Sequence, residues 1–125
     1  MLLDASALLA LLLAESGSDR VGAELASGAS ISAVNLAEVI AKLLDYGYTE
    51  ESIEGMIEAA DLTVLSFEHA EAWQSGLLRR VTRSSGLSLG DRCCLAVAQA
   101  TGLPVLTCDR NWSGLNMGVE IELCR

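Results

Sequence analysis

Four acidic residues stand where a carboxylate could do chemistry: Asp4, Glu38, Asp91 and Asp109. Asp4 follows the apolar run Met1-Leu2-Leu3, and Asp109 lies just past Val105-Leu106-Thr107. Open α/β sheets bind ligands at the carboxyl ends of their strands, where strand order reverses. Neighbouring strands lie about 4.8 Å apart, so adjacent strands would point these two acids into one pocket. Glu38 shares a helical face with Asn35, Lys42 and Asp45, opposite the apolar stripe Leu36, Val39, Ile40, Leu43 and Leu44. Asp91 opens a helix with almost no polar side, where the helix dipole favours an anion. Each acid also has a plainer reading, as a turn residue, a solvated face or a cap. Together they make an electrostatic argument. Two carboxylates 4 Å apart repel by about 4 kcal/mol at an effective dielectric of 20. Four in one pocket need raised pKa values or a divalent cation. Oxygen-only ligands favour Mg²⁺ or Mn²⁺, ions that activate water for displacement at phosphorus.

Composition narrows the setting. The chain has 125 residues, which fits one domain over 1–125. Hydrophobic residues make up 51% and charged residues 20%, against disorder. The longest apolar stretch, 7–14, falls short of the about 20 residues a membrane span needs. It lacks a basic flank ahead of it, so the expectation is a soluble, cytoplasmic protein. Eight basic against 17 acidic residues give a net charge of −9, which argues against nonspecific polyanion binding. Cys93, Cys94, Cys108 and Cys124 match no zinc spacing. Their even count allows two disulfides, but in the absence of a secretion signal they read as reduced, packing thiols.

Short apolar runs alternate with helical ones, the pattern of a three-layer α/β/α sandwich on a parallel sheet. Strands are expected at 1–3, 29–31, 62–66, 105–107 and 119–123. Ser6, Ser32, Thr49 and Ser88 read as helix N-caps, and Ser88 with Asp91 as a capping box. The segment 68–83 reads as one long helix. Gly47 and Gly102 are placed to end helices.

At four places the residues resemble the PIN domain, and closely the VapC-type toxins of toxin–antitoxin pairs. These are Leu3-Asp4-Ala5-Ser6-Ala7, Ser32-Ala33-Val34-Asn35-Leu36-Ala37-Glu38, Leu87-Ser88-Leu89-Gly90-Asp91 and Thr107-Cys108-Asp109-Arg110-Asn111-Trp112. The resemblance implies a five-stranded parallel sheet of order 3-2-1-4-5. It implies a Mg²⁺- or Mn²⁺-dependent endoribonuclease acting as the toxin of a pair. Asp4, Asp91 and Asp109 would be metal ligands, Glu38 would complete the shell, and Ser6, Asn35 and Thr107 would support them. The implied reaction is hydrolysis of an RNA phosphodiester by a metal-activated water, leaving a 5′-phosphate. A VapB-type antitoxin and a second copy of the chain are the implied partners. Cys108 stands where the family commonly has a small residue. A PIN nuclease of RNA processing shares this chemistry; the short chain favours the toxin. A phosphoacceptor receiver domain fits poorly, because the third strand ends Leu65-Ser66 without an Asp and the only Lys is Lys42.

Arg79, Arg80, Arg83 and Arg92 lie within 14 positions, and Arg110 follows Asp109. They are candidates for gripping RNA phosphates, or an ordinary solvated face. His69 reads as a surface residue, Trp73 as core, and Trp112 as packing beside the last strand. No phosphate-binding Gly-rich motif is present.

Overall fold

Apolar residues two apart along a strand face the same side of a sheet, and this period sorts the protein into layers. The computed structural model describes residues 1–125. Its strands are β1 (Leu2–Leu3), β2 (Ser30–Ser32), β3 (Thr63–Leu65), β4 (Val105–Thr107) and β5 (Ile121–Leu123). All pairs are parallel, in the order β3-β2-β1-β4-β5. Leu3, Ile31 and Leu106 point to one face and join a core with Ala7, Leu8, Val21, Val39, Leu43 and Ile53. Those partners come from α1 (Ala5–Leu12), α2 (Ser18–Ala26), α3 (Ala33–Asp45) and α4 (Glu50–Ala60). Leu2 and Val105 point to the other face and pack with Leu78, Cys94 through Ala98 and Trp112. That layer is built from α5 (His69–Leu77), α6 (Arg79–Thr82) and α7 (Leu89–Thr101). The three-layer sandwich and the strand order are those expected. No helix is long and apolar enough to cross a membrane.

The caps explain most boundaries. Ser32 accepts from the Asn35 N–H, and Thr49 from the Ser52 N–H. Ser88 and Asp91 form the reciprocal capping box at the start of α7. Gly102 closes α7 in the left-handed conformation, with its N–H on the Ala98 carbonyl. The cap of α1, however, is Asp4 itself rather than Ser6, and its side chain accepts from Ala7.

Three further expectations are corrected. The segment 68–83 is broken at Leu78 into α5 and α6 and then tightens into a 3-10 turn over Arg83–Ser85. Ser75 Oγ bonds back to the Ala72 carbonyl and Thr82 Oγ1 to the Leu78 carbonyl. Such back-bonding bends helices, and Gly76 weakens this one further. Trp73 is 65% exposed rather than core, at i, i+4, i+8 spacing with the exposed Leu77 and Val81. Cys108 and Cys124 are joined in a disulfide, while Cys93 and Cys94 stay free and buried. The pairing of β4 with β5 brings the two Cα atoms to 5.1 Å, within the usual bridging range. His69 is exposed and Trp112 fully buried, both as expected.

Candidate active site

The carboxyl ends of β1 and β4 lie side by side at the centre of the sheet, where strand order reverses. Leu3 pairs with Leu106, so the next residues, Asp4 and Thr107, come level. The Asp4 carboxylate is only 3% exposed. Its Oδ2 accepts from Thr107 Oγ1 at 2.5 Å. Its Oδ1 accepts from Ser6 Oγ at 2.7 Å and from the Ala7 N–H at 2.9 Å. Each hydroxyl has a single hydrogen. With both hydrogens given to Asp4, the 3.2 Å contact between Ser6 Oγ and Thr107 Oγ1 has no donor left. The hydroxyls also accept, Ser6 Oγ from the Cys108 N–H and Thr107 Oγ1 from the Asp109 N–H. Ser6 and Thr107 therefore stitch the β1 end to the β4 end through Asp4. Burial raises the Asp4 pKa to about 6, against the lowering effect of these hydrogen bonds, and the nearby Asp91 charge raises it further.

The Glu38 carboxylate lies against Gly90 at the start of α7, one residue before Asp91. Asn35, 1% exposed, engages its amide oxygen and both amide hydrogens there. Its Oδ1 accepts from Ser32 Oγ at 2.9 Å. Its Nδ2 donates to Glu38 Oε1 at 2.7 Å and to the Gly90 carbonyl at 3.1 Å. Burial pushes the Glu38 pKa up, Asn35 opposes this, and the Asp91 charge adds to the rise. Asp91 is held by its Oδ2, which accepts from the Ser88 N–H at 2.9 Å. The buried Cys94 thiol, one turn after Asp91, is pushed well up by desolvation and then by Asp4, Asp91 and Glu38 together. Three of the four acids thus act on one neighbourhood.

Asp109 stands past the end of β4. Its Oδ1 accepts from the Asn111 N–H and caps the 3-10 turn Arg110–Trp112. One rule covers Glu38, Asp91 and Asp109: one carboxylate oxygen is clamped by a protein donor, and the other has no protein hydrogen bond. No three acidic, His or Cys side chains are drawn together closely enough to form a closed metal cage. Mg²⁺ seldom uses such a cage; it keeps several waters and takes one or two carboxylates. The donor set, all oxygen with a desolvated Asp4 that feels the Asp91 charge, fits that kind of ion.

The candidate arginines separate. Arg79, Arg80, Arg83 and Arg110 are exposed, and none forms an ion pair; the two ion pairs of the chain join Arg20 to Glu24 and Glu122. Arg92 is half-buried and bonds through Nε to the Ser75 carbonyl and through Nη1 to the Leu87 carbonyl. Asn35, expected as a supporting residue, lies buried between Glu38 and Gly90, whereas nothing in the sequence analysis singles out Gly90 itself. A Gly inside the first turn of an otherwise well-formed helix was the available signal.

Fold and site thus define an open α/β sheet with the Asp4 carboxylate buried at its switch point and Asp109 just past the end of β4. The PIN domain family model matches residues 1–116, and the chain belongs to that family, whose members are generally divalent-metal-dependent nucleases. A search of curated proteins gives no significant match. Among solved structures, the DNA-bound VapBC of Salmonella typhimurium is similar, with a TM-score of 0.76 at 20% identity over 99% of this chain and 97% of that one. VapBC2 of Rickettsia felis, bound to a promoter DNA fragment, gives 0.75 at 16% identity over 98% and 96%. A toxin–antitoxin complex from Klebsiella pneumoniae gives 0.72 at 21% identity over 96% and 98%.

Proposed function

We propose that the protein is a Mg²⁺- or Mn²⁺-dependent endoribonuclease, the toxin of a toxin–antitoxin pair. The observation that carries this reading is the clamped-and-free pattern of Glu38, Asp91 and Asp109 together with the buried Asp4 carboxylate at the β1/β4 switch point. Asp4 and Asp91 would hold the cation, with Asp109 and Glu38 reaching it directly or through water. When bound, the ion stabilises charge on the phosphoryl oxygens and lowers the pKa of a bound water. The chain's own part is to orient and to hold protons. Thr107, Ser6 and Ala7 fix both Asp4 oxygens, and the Ser88–Asp91 box fixes Asp91. Glu38 Oε2, free of protein partners and carrying a raised pKa, is the oxygen suited to hold a proton at the site's edge.

RNA must approach a chain of net charge −9 through a local patch. The exposed, unpaired Arg79, Arg80 and Arg83 support such a patch, with Arg110 next to Asp109. An antitoxin partner is supported by the toxin–antitoxin complexes among the structural relatives. On this chain it is supported by a groove of about 810 Å³ between α3 and α4. Ile40, Leu44, Ile53 and Ile57 form its apolar part and Glu50, Glu54 and Glu58 its acidic rim, which suits an apolar segment with basic flanks. A second copy of the chain completes the set of partners.

The test is cleavage of RNA by purified protein. Cleavage is expected with Mg²⁺ or Mn²⁺, to be lost with a chelator, and to fall by about 10³-fold in Asp91→Asn, the size of several kcal/mol of charge stabilisation. Cleavage that persists in Asp91→Asn overturns the assignment.

A further inference from the structure

Gly90 occupies the second position of α7, between Leu89 and Asp91. A Cβ built on it would fall within 3.0 Å of Oε1, Oε2 and Cδ of Glu38, closer than real Cβ atoms come to any neighbour. The Glu38 carboxylate therefore rests directly on the bare Cα of Gly90. Asn35 ties the two together, donating from one amide nitrogen to Glu38 Oε1 and to the Gly90 carbonyl. We propose that Gly90 is a positioning residue: the space of its missing side chain is the seat that holds the Glu38 carboxylate against the start of α7, beside Asp91.

Gly90 has no left-handed backbone angle that would demand a glycine. In a helix Gly is less favourable than Ala, so its use here runs against local propensity. The obstacle to Ala is the far end of one flexible side chain, not backbone or packed core. The fold can yield to Ala by letting Glu38 swing away, and that swing takes the carboxylate off the start of α7 and off its bond to Asn35. Stability and site geometry then respond in opposite senses.

The inference takes its functional meaning from the nuclease reading, and its test separates the two. In crystals of metal-free Gly90→Ala, the Glu38 carboxylate is expected to have left its seat and its bond to Asn35. Melting should be no lower than in the unsubstituted protein. The Mn²⁺ concentration for half-maximal thermal stabilisation should rise about tenfold, as for loss of a supporting group around a metal site. Gly90→Ala should add no further loss in a Glu38→Ala background, because residues acting through one group are not additive. An unmoved Glu38 in the variant crystals, or losses that add, would overturn the seat. If the unsubstituted protein neither responds to Mn²⁺ nor cleaves RNA, the nuclease reading fails, and the crystals alone decide the seat.

Discussion

Asp4→Asn is expected to lose nearly all RNA cleavage while becoming more stable. The two effects share one cause. The Asp4 carboxylate is almost fully buried, and desolvation lifts its pKa from 3.8 to about 6. Holding it ionised at neutral pH therefore costs folding free energy. At about 1.4 kcal/mol per pKa unit, the gap is worth about 3 kcal/mol. Asn has the same shape without the charge. Its oxygen can keep the bonds from Ser6 and Ala7, and its amide can face Thr107 Oγ1, which accepts as well as donates. The variant should gain up to about 3 kcal/mol above pH 6 in denaturant unfolding. Cleavage should fall by about 10³-fold, about 4 kcal/mol of lost transition-state stabilisation. A variant both active and unchanged in stability would show that Asp4 carries neither role.

The second large effect is an inverted pH dependence that a cation reverses. A carboxyl with a raised native pKa takes up protons on folding between its two pKa values, so stability falls as pH rises through that window. For Asp4 the window runs from about 3.8 to about 6, and the penalty is complete above it. Glu38, also raised, acts in the same direction. Metal-free protein should therefore lose up to about 3 kcal/mol between pH 4 and pH 7 at these sites. A divalent cation needs the ionised carboxylates and should offset the loss. At a hundred times its dissociation constant Mn²⁺ contributes about 2.7 kcal/mol, roughly 10 °C in Tm for a chain of this size. The same addition at pH 4.5, where Asp4 is protonated, should have little effect. Thermal scans across pH, with and without Mn²⁺, give both curves, and equal Mn²⁺ shifts at pH 4.5 and pH 7.5 would contradict the role of Asp4.

Much of this was legible in residue order because the signals were local. Leu3 before Asp4 and Leu106 before Thr107 announce buried strands, and Ser88 with Asp91 announces a helix start. The order of strands was not local; it came from the resemblance, and the pairing of β1 with β4 bears it out. What stayed hidden depends on packing between remote segments. Asn35 lies on a polar face by periodicity, yet α7 covers it, since its amide reaches the Gly90 carbonyl 55 positions away. Cys108 and Cys124 become partners only because β5 pairs with β4. The break at Leu78 reflects Ser and Thr back-bonding, which a periodicity of apolar residues does not register. An aromatic residue on an amphipathic helix reads as core, yet Trp73 is exposed, and sequence period alone does not say which apolar side chains a neighbouring layer covers.

In the proposed nuclease, Asp4 and Asp91 share one divalent cation. Electron paramagnetic resonance of Mn²⁺ titrated into the protein at pH 7.5 measures this directly, because bound Mn²⁺ leaves the free-ion signal. Saturable binding is expected in the unsubstituted protein and its loss in both Asp4→Asn and Asp91→Asn, each variant remaining folded. Binding of undiminished affinity in either variant, or none at millimolar Mn²⁺ in the unsubstituted protein, would contradict it.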